Sequence, residues 1–263
     1  MKESRISAND ICALGMYGLT NALFVYKYSS RITSQFWAIS LLYLIVVGLL
    51  VLLLYRKTES ALSSGQATLI YFSLIALLAI SLYLVMSHFD PEGIRVGRYP
   101  AMHDWISRFL NSEFPYASPT RPSGFPFLFV MAMPFYLLGD LGFFQIFSFF
   151  AFSVLVHLRD CQKAGDRYRR IFLLVTSPIF LYEIAVRSDL FSNMVMIMLY
   201  LAILELRGQG ASHASLCVLG IAGGLLLSTR GVALLIYIAV LGYLCRRQTI
   251  KCNLFLPSVV VGS

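Results

Sequence analysis

Eight apolar runs that are long enough, or nearly long enough, to cross a bilayer constrain this chain more than any other feature. They lie at 11–28, 35–54, 67–87, 141–158, 171–185, 190–206, 214–228 and 231–245. A hydrocarbon core of about 30 Å needs roughly 20 helical residues. The expected fold is therefore all-α: a multi-pass transmembrane bundle of about eight or nine helices, forming one domain over 1–263. Its long external segment, 88–140, is expected to carry juxtamembrane helices and a re-entrant or interfacial helix. A ninth run begins at Leu254 and the sequence stops within it, as a fragment would.

Composition agrees with a membrane setting. Hydrophobic residues make up 58 % and charged residues only 13 %, against roughly 25 % charged in an ordinary soluble domain. The net charge of +8 comes from short basic clusters between apolar runs, which is how orientation signals are distributed. Nucleic acid is excluded as a partner on that ground. The five cysteines (Cys12, Cys161, Cys217, Cys245, Cys252) show no paired spacing, so neither a disulfide framework nor a zinc site is expected. Lys2 and Arg5 precede a run that continues from Ile11 to Tyr28 without a small-residue cleavage site, which reads as an uncleaved anchor.

Three basic groups set the orientation: Arg56 with Lys57; Arg159, Lys163, Arg167, Arg169 and Arg170; and Arg246, Arg247 and Lys251. Placed inside by the positive-inside rule, they put 88–140, Arg187, Asp189 and Arg230 outside. The stretch 125–139 would invert every later loop if it crossed. It is short and holds Pro126, Pro134 and Gly139, so it is expected on the outer side, where irregular backbone lines a protein cavity. Asn21, Lys27 and Arg31 make the first run the least regular crossing. The expected location is an integral position in a bacterial inner or plasma membrane, with the site external.

The segment from His88 to Gly139 is the only long polar stretch. Up to Pro122 it holds Asp90, Glu92, Asp104 and Glu113 against Arg95, Arg98, Arg108 and Arg121. No lysine occurs between Thr58 and Gln162. Arginine offers a planar fork that holds phosphate oxygens in two places, where lysine is a point charge. Pairing with the four loop acids accounts for these arginines as well as phosphate binding does. Arg187 and Arg230 stand apart at helix ends, where an ionisable group at membrane depth is by default a functional candidate.

Asp90, in FDPEG, follows the third run directly. An ionised aspartate there can take a proton from a sugar hydroxyl, although a helix-terminal turn with exposed acids explains it equally. His103 and Asp104, beside Trp105, form a second candidate pair. That tryptophan could stack on a sugar, but such a residue more often marks the lipid interface. Asp189 stands at the start of run 190–206, where capping is its first expected role; beside Arg187 it could also complete a site with Asp90. No nucleophile elbow, HExxH, P-loop or CxxC is present. Carboxylates are available to a divalent metal, yet their spacing specifies no coordination shell.

The order of these features resembles the GT-C superfamily of integral-membrane glycosyltransferases, and its mannosyltransferase-like members most. The resemblance rests on Asp90 after a helix exit, the RYP…W…L…PY stretch from Arg98 to Tyr116, the P-x-G-x-P entry from Pro122 to Pro126, and the later R-x-D of Arg187 and Asp189; it covers about 88–200. It implies transfer of a sugar from a polyprenyl-phosphate carrier to a glycan, lipid or protein acceptor among membrane lipids. Asp90 would be the general base, with Glu92, Arg95, Arg98, His103, Arg121, Arg187, Asp189 and Arg230 around the substrate. Two departures stand out. Two additional apolar runs precede the acid, which leaves Asp90 and Asp104 both open as its counterpart. The chain also ends before the later helices that complete the carrier groove in relatives. The rival expectation is a transporter or flippase of a lipid-linked or anionic solute, which predicts mid-helix charges and broken helices in symmetric halves. The sequence shows no such halves, and Glu183 is the main acid inside an apolar run. A structural subunit of a membrane assembly is a third expectation.

Overall fold

The computed structural model describes residues 8–31, 33–56, 64–91, 98–120, 122, 124, 126–159, 164–207 and 212–229. Among them the protein is all-helical. It has α1 (Ala8–Ser29), α2 (Phe36–Arg56), α3 (Ser64–His88), α4 (Tyr99–Leu110), a 3₁₀ turn (Pro115–Ala117), α5 (Pro126–Leu137), α6 (Phe143–Arg159), α7 (Ala164–Val175), α8 (Pro178–Ala185), α9 (Leu190–Arg207) and α10 (His213–Leu227). Runs 231–245 and 254 onward, with Glu92, Arg95, Arg121 and Arg230, lie outside the described residues.

One described helix, Gly65–His88, is long and apolar enough to cross a membrane; Pro178–Ala185 with Leu190–Leu206, bent by 111°, counts as a second if taken as one broken span. Only 22 % of the apolar window of Gly65–His88 is buried. Leu69, Ile70, Leu77, Ile80 and Leu84 face outward, where the core helix of a soluble protein would be covered.

The chain divides into two compact units, 1–78 with 156–182 and 79–155 with 183–263. In the first, α1 and α2 pack as a hairpin, with Tyr26 edge-on to Phe36 at 4.7 Å. Asn21, one of the three residues that made the first run irregular, is buried and satisfied. Asn21 Nδ2 donates to Tyr17 O (3.0 Å), and its Oδ1 accepts the Ser177 hydroxyl (2.6 Å). Asn21→Leu is expected to strip Ser177 of this partner at a cost of about 1–3 kcal/mol. The check is the thermal midpoint of the full chain in detergent, which should fall.

The single crossing expected at 171–185 is corrected by the structure. Val175 ends α7, Ser177 Oγ accepts the Phe180 N–H (3.4 Å), and Pro178 opens α8. Serine at the N-cap followed by proline at the first helical position starts a new helix rather than continuing the old one. Helix α7 also begins seven residues earlier than the run, because Arg167 is buried against Tyr71 (5.5 Å) and His157 Nδ1 (2.6 Å).

In the second unit α4 is amphipathic. Met102, Trp105 and Ile106 pack with Phe129 and Ala132 of α5 and with Leu141 and Phe144. Trp105 stacks between Phe109 (5.3 Å) and Phe129 (4.7 Å), so it is a core residue rather than a sugar platform. At its C-terminus Ser112 takes φ +59 while Ser112 N and Glu113 N bond to Phe109 O and Arg108 O. That is a Schellman closure with serine in the position glycine usually fills. Helix α5 has only 12 residues, about 18 Å at 1.5 Å per residue, too short to cross.

Candidate functional site

Four chain ends of the second unit meet at one polar junction: the C-terminus of α3, the N-terminus of α4, the α5–α6 turn and the α8–α9 break. Each is shaped by local sequence. Asp90-Pro91 stops α3, because proline removes a donor and holds the preceding residue extended. Pro100 lies in the first turn of α4, where its fixed φ suits a helix start. Gly139, at φ +104, lets the chain leave α5, and Asp140 Oδ1 then accepts the Gly142 N–H at 2.7 Å to open α6.

The α8–α9 break is closed by an arginine. Arg187 N bonds Ile184 O, Ser188 N bonds Glu183 O, and Arg187 itself stands at φ +48. This too is a Schellman closure, and a non-glycine residue in it carries roughly 1–2 kcal/mol of strain. Its side chain is 7 % exposed. Nη2 lies 3.0 Å from Asp140 Oδ2, Nη1 and Nη2 each reach a carbonyl at the end of α3 (Phe89 O and Met86 O, both 3.4 Å), and the guanidinium sits 5.4 Å over the Tyr99 ring. A cation at the carbonyl end of a helix meets the negative end of its dipole. Arg187, expected to face a lipid phosphate, thus directs its charge at α3 and Asp140.

The other candidates are distributed as follows. Asp90 is exposed and follows Phe89, whose carbonyl Arg187 holds. Arg98 precedes α4 with its side chain 39 % exposed, and its Nε is 3.9 Å from the fully buried carboxylate of Asp189. The Asp189 carbonyl accepts the Asn193 N–H (2.9 Å) at the start of α9, while the carboxylate faces Arg98. Asp104 is not drawn into the junction: its Oδ2 accepts the hydroxyls of Ser118 (2.8 Å) and Thr120 (3.1 Å). His103 stacks on Tyr99 (5.8 Å) and meets Tyr136 edge-on (5.0 Å). Arg108 pairs with Glu113 at 3.1 Å, the pairing that loop charge balance predicts. Tyr116 donates to Gly124 O (3.1 Å), and burial pushes its phenol above the ordinary value.

Three participants escaped the sequence reading. Asp140 ties the α5–α6 turn to Arg187. Tyr99 carries the guanidinium. Gln145 is buried and its Nε2 donates to Glu183 O (3.0 Å) and Ser188 O, so α6 also caps the end of α8. Asp140 had a signal, a lone acid between two apolar runs. Tyr99 stood within the RYP stretch, and Gln145 had none. Among the described residues no three His, Cys, Asp or Glu side chains gather as a metal site.

Comparison of the chain with protein-family models, with curated proteins and with solved structures finds no match.

Proposed function

We propose that the protein is a multi-pass membrane glycosyltransferase that moves a sugar from a polyprenyl-phosphate carrier to an acceptor hydroxyl at the outer face of the membrane. The observation that carries this reading is the placement of Asp90. It is an exposed carboxylate one residue beyond a carbonyl held by a buried arginine, in a junction that also holds Arg98, whose side chain is 39 % exposed and lies 3.9 Å from Asp189. In the reaction, Asp90 takes the proton of the acceptor hydroxyl, whose oxygen attacks the anomeric carbon. The bond from that carbon to the phosphate oxygen breaks, and the phosphate leaves with the electron pair. Arg98 faces the departing charge. No nucleotide is required, which suits a chain without a phosphate-cradling loop.

The experiment is incubation of the full chain in membranes with radiolabelled polyprenyl-phosphate sugars, comparing wild type with Asp90→Asn. Arg98→Gln is expected to lower transfer on the order of tenfold, the scale of one charge-assisted hydrogen bond. The loss should persist at saturating carrier, because an interaction made as the phosphate departs lowers kcat rather than raising KM.

One observation favours a transporter or flippase of a lipid-linked or anionic solute as the second reading. Helices α8 and α9 are bent by 111° at the break, and Ser188, Asp189, Ser192 and Asn193 are buried there. Broken helices with buried polar groups accompany transport sites. Such a protein would move the intact labelled lipid across vesicles, and Asp90→Asn would leave that movement unchanged.

A further inference from the structure

We propose that Arg187 and Asp140 are positioning residues for Asp90: Asp140 orients the Arg187 guanidinium, which pins the last turn of α3 and thereby fixes where the Asp90 carboxylate stands. The proposal rests on the glycosyltransferase reading and deepens it.

The first argument is conformational. The αL position that closes α8 is one a glycine would fill without strain. An arginine persists there only when its surroundings over-determine it, and its side chain meets the carbonyls of Met86 and Phe89, one carboxylate and one ring. The second is geometric. Met86 O, which already accepts the Phe89 N–H (3.2 Å), and Phe89 O, one residue past α3, both receive the guanidinium, so it caps the end of the helix from another part of the chain. Asp90 follows within one residue.

The third argument comes from Asp140. One oxygen is fixed by Gly142 N–H and the other by Arg187 Nη2, so the acid cannot turn without releasing the start of α6 as well. Gly142 lets this turn lie against α3: a Cβ there would fall on Met86 Sδ and come within 2.7 Å of Met86 Cε. The pin therefore joins three chain ends through one guanidinium.

The test uses Arg187→Gly, Arg187→Asn and Asp140→Asn in the full chain in lipid nanodiscs. Glycine and asparagine both suit the αL turn, so the break keeps its backbone while the guanidinium is removed. Hydrogen exchange should accelerate on the order of tenfold or more at the amides of 86–90 and stay unchanged at the first turns of α9. In the transfer assay kcat should fall on the order of ten- to a hundredfold with KM for the carrier nearly unchanged. In an Asp90→Asn background Arg187→Gly should add no further loss, because a residue that acts through Asp90 has nothing left to position. Unchanged exchange at 86–90 in the folded variants, or additive losses in the double variant, overturns the proposal. If Asp90→Asn alone retains transfer, the assignment of the base fails, and the exchange measurement still decides whether the pin exists.

Discussion

Asp90→Asn is expected to lower sugar transfer by about 10²- to 10⁴-fold, the usual contribution of a general base, while leaving the thermal midpoint of the protein unchanged. Asparagine matches the carboxylate in shape and cannot accept the acceptor's proton at neutral pH. The side chain is exposed beyond the end of α3 and asparagine keeps its shape, so the expected change in stability is small beside that of a buried substitution. Rate and stability should therefore separate cleanly. Asp104→Asn should show the opposite pattern. Its carboxylate holds the Ser118 and Thr120 hydroxyls, so its loss loosens the loop before α5 and appears first as lower stability. A variant at Asp104 that abolishes transfer in a fully stable protein would move the base to that residue.

Among the described glycines of the second unit, Gly142→Ala should be the most damaging substitution. The added Cβ falls on Met86 Sδ and lies 3.1 Å from Asp140 Oδ1. Met86 is fully buried at the end of α3, so its thioether has little space to retreat. Overpacking of this kind costs typically 1–3 kcal/mol. It also pushes apart the α5–α6 turn and the α3 terminus that Arg187 joins. A fall in the thermal midpoint together with faster exchange at 86–90 is the expected result. Met86→Ala in the same chain should recover part of the midpoint by making room, at the expense of a small cavity.

The helices were legible where apolar runs were long and uniform. Runs 35–54, 67–87 and 190–206 correspond to α2, α3 and α9 with ends moved by at most three residues, because a helix there needs only hydrophobic continuity. The break inside 171–185 was written in Thr176-Ser177-Pro178, a cap followed by a helix-starting proline, yet a hydropathy window averages over it. The early start of α7 was hidden because Arg167 looks like a loop residue until Tyr71 and His157, distant in sequence, cover it.

The junction was only partly legible. Asp90, Arg98, Arg187 and Asp189 stand out as charges beside apolar runs, and the structure gathers the last three with Tyr99 while placing Asp90 at its edge. What they do was not written there. No sequence signal marks an arginine in a left-handed turn, and the partner of Arg187 at Asp140 is a long-range contact. Asp104 stood out as strongly as Asp90, and only its two hydroxyl partners set the two acids apart.

The central claim is that Asp90 serves group transfer rather than passage of an intact lipid. The most direct measurement follows a polyprenyl-phosphate sugar labelled in the sugar, in vesicles that hold the full chain, and scores both products in the same sample. The account predicts label on the acceptor and free polyprenyl phosphate in wild type, both lost in Asp90→Asn. Intact labelled lipid moved to the other leaflet, with no labelled acceptor and no response to Asp90→Asn, would contradict it.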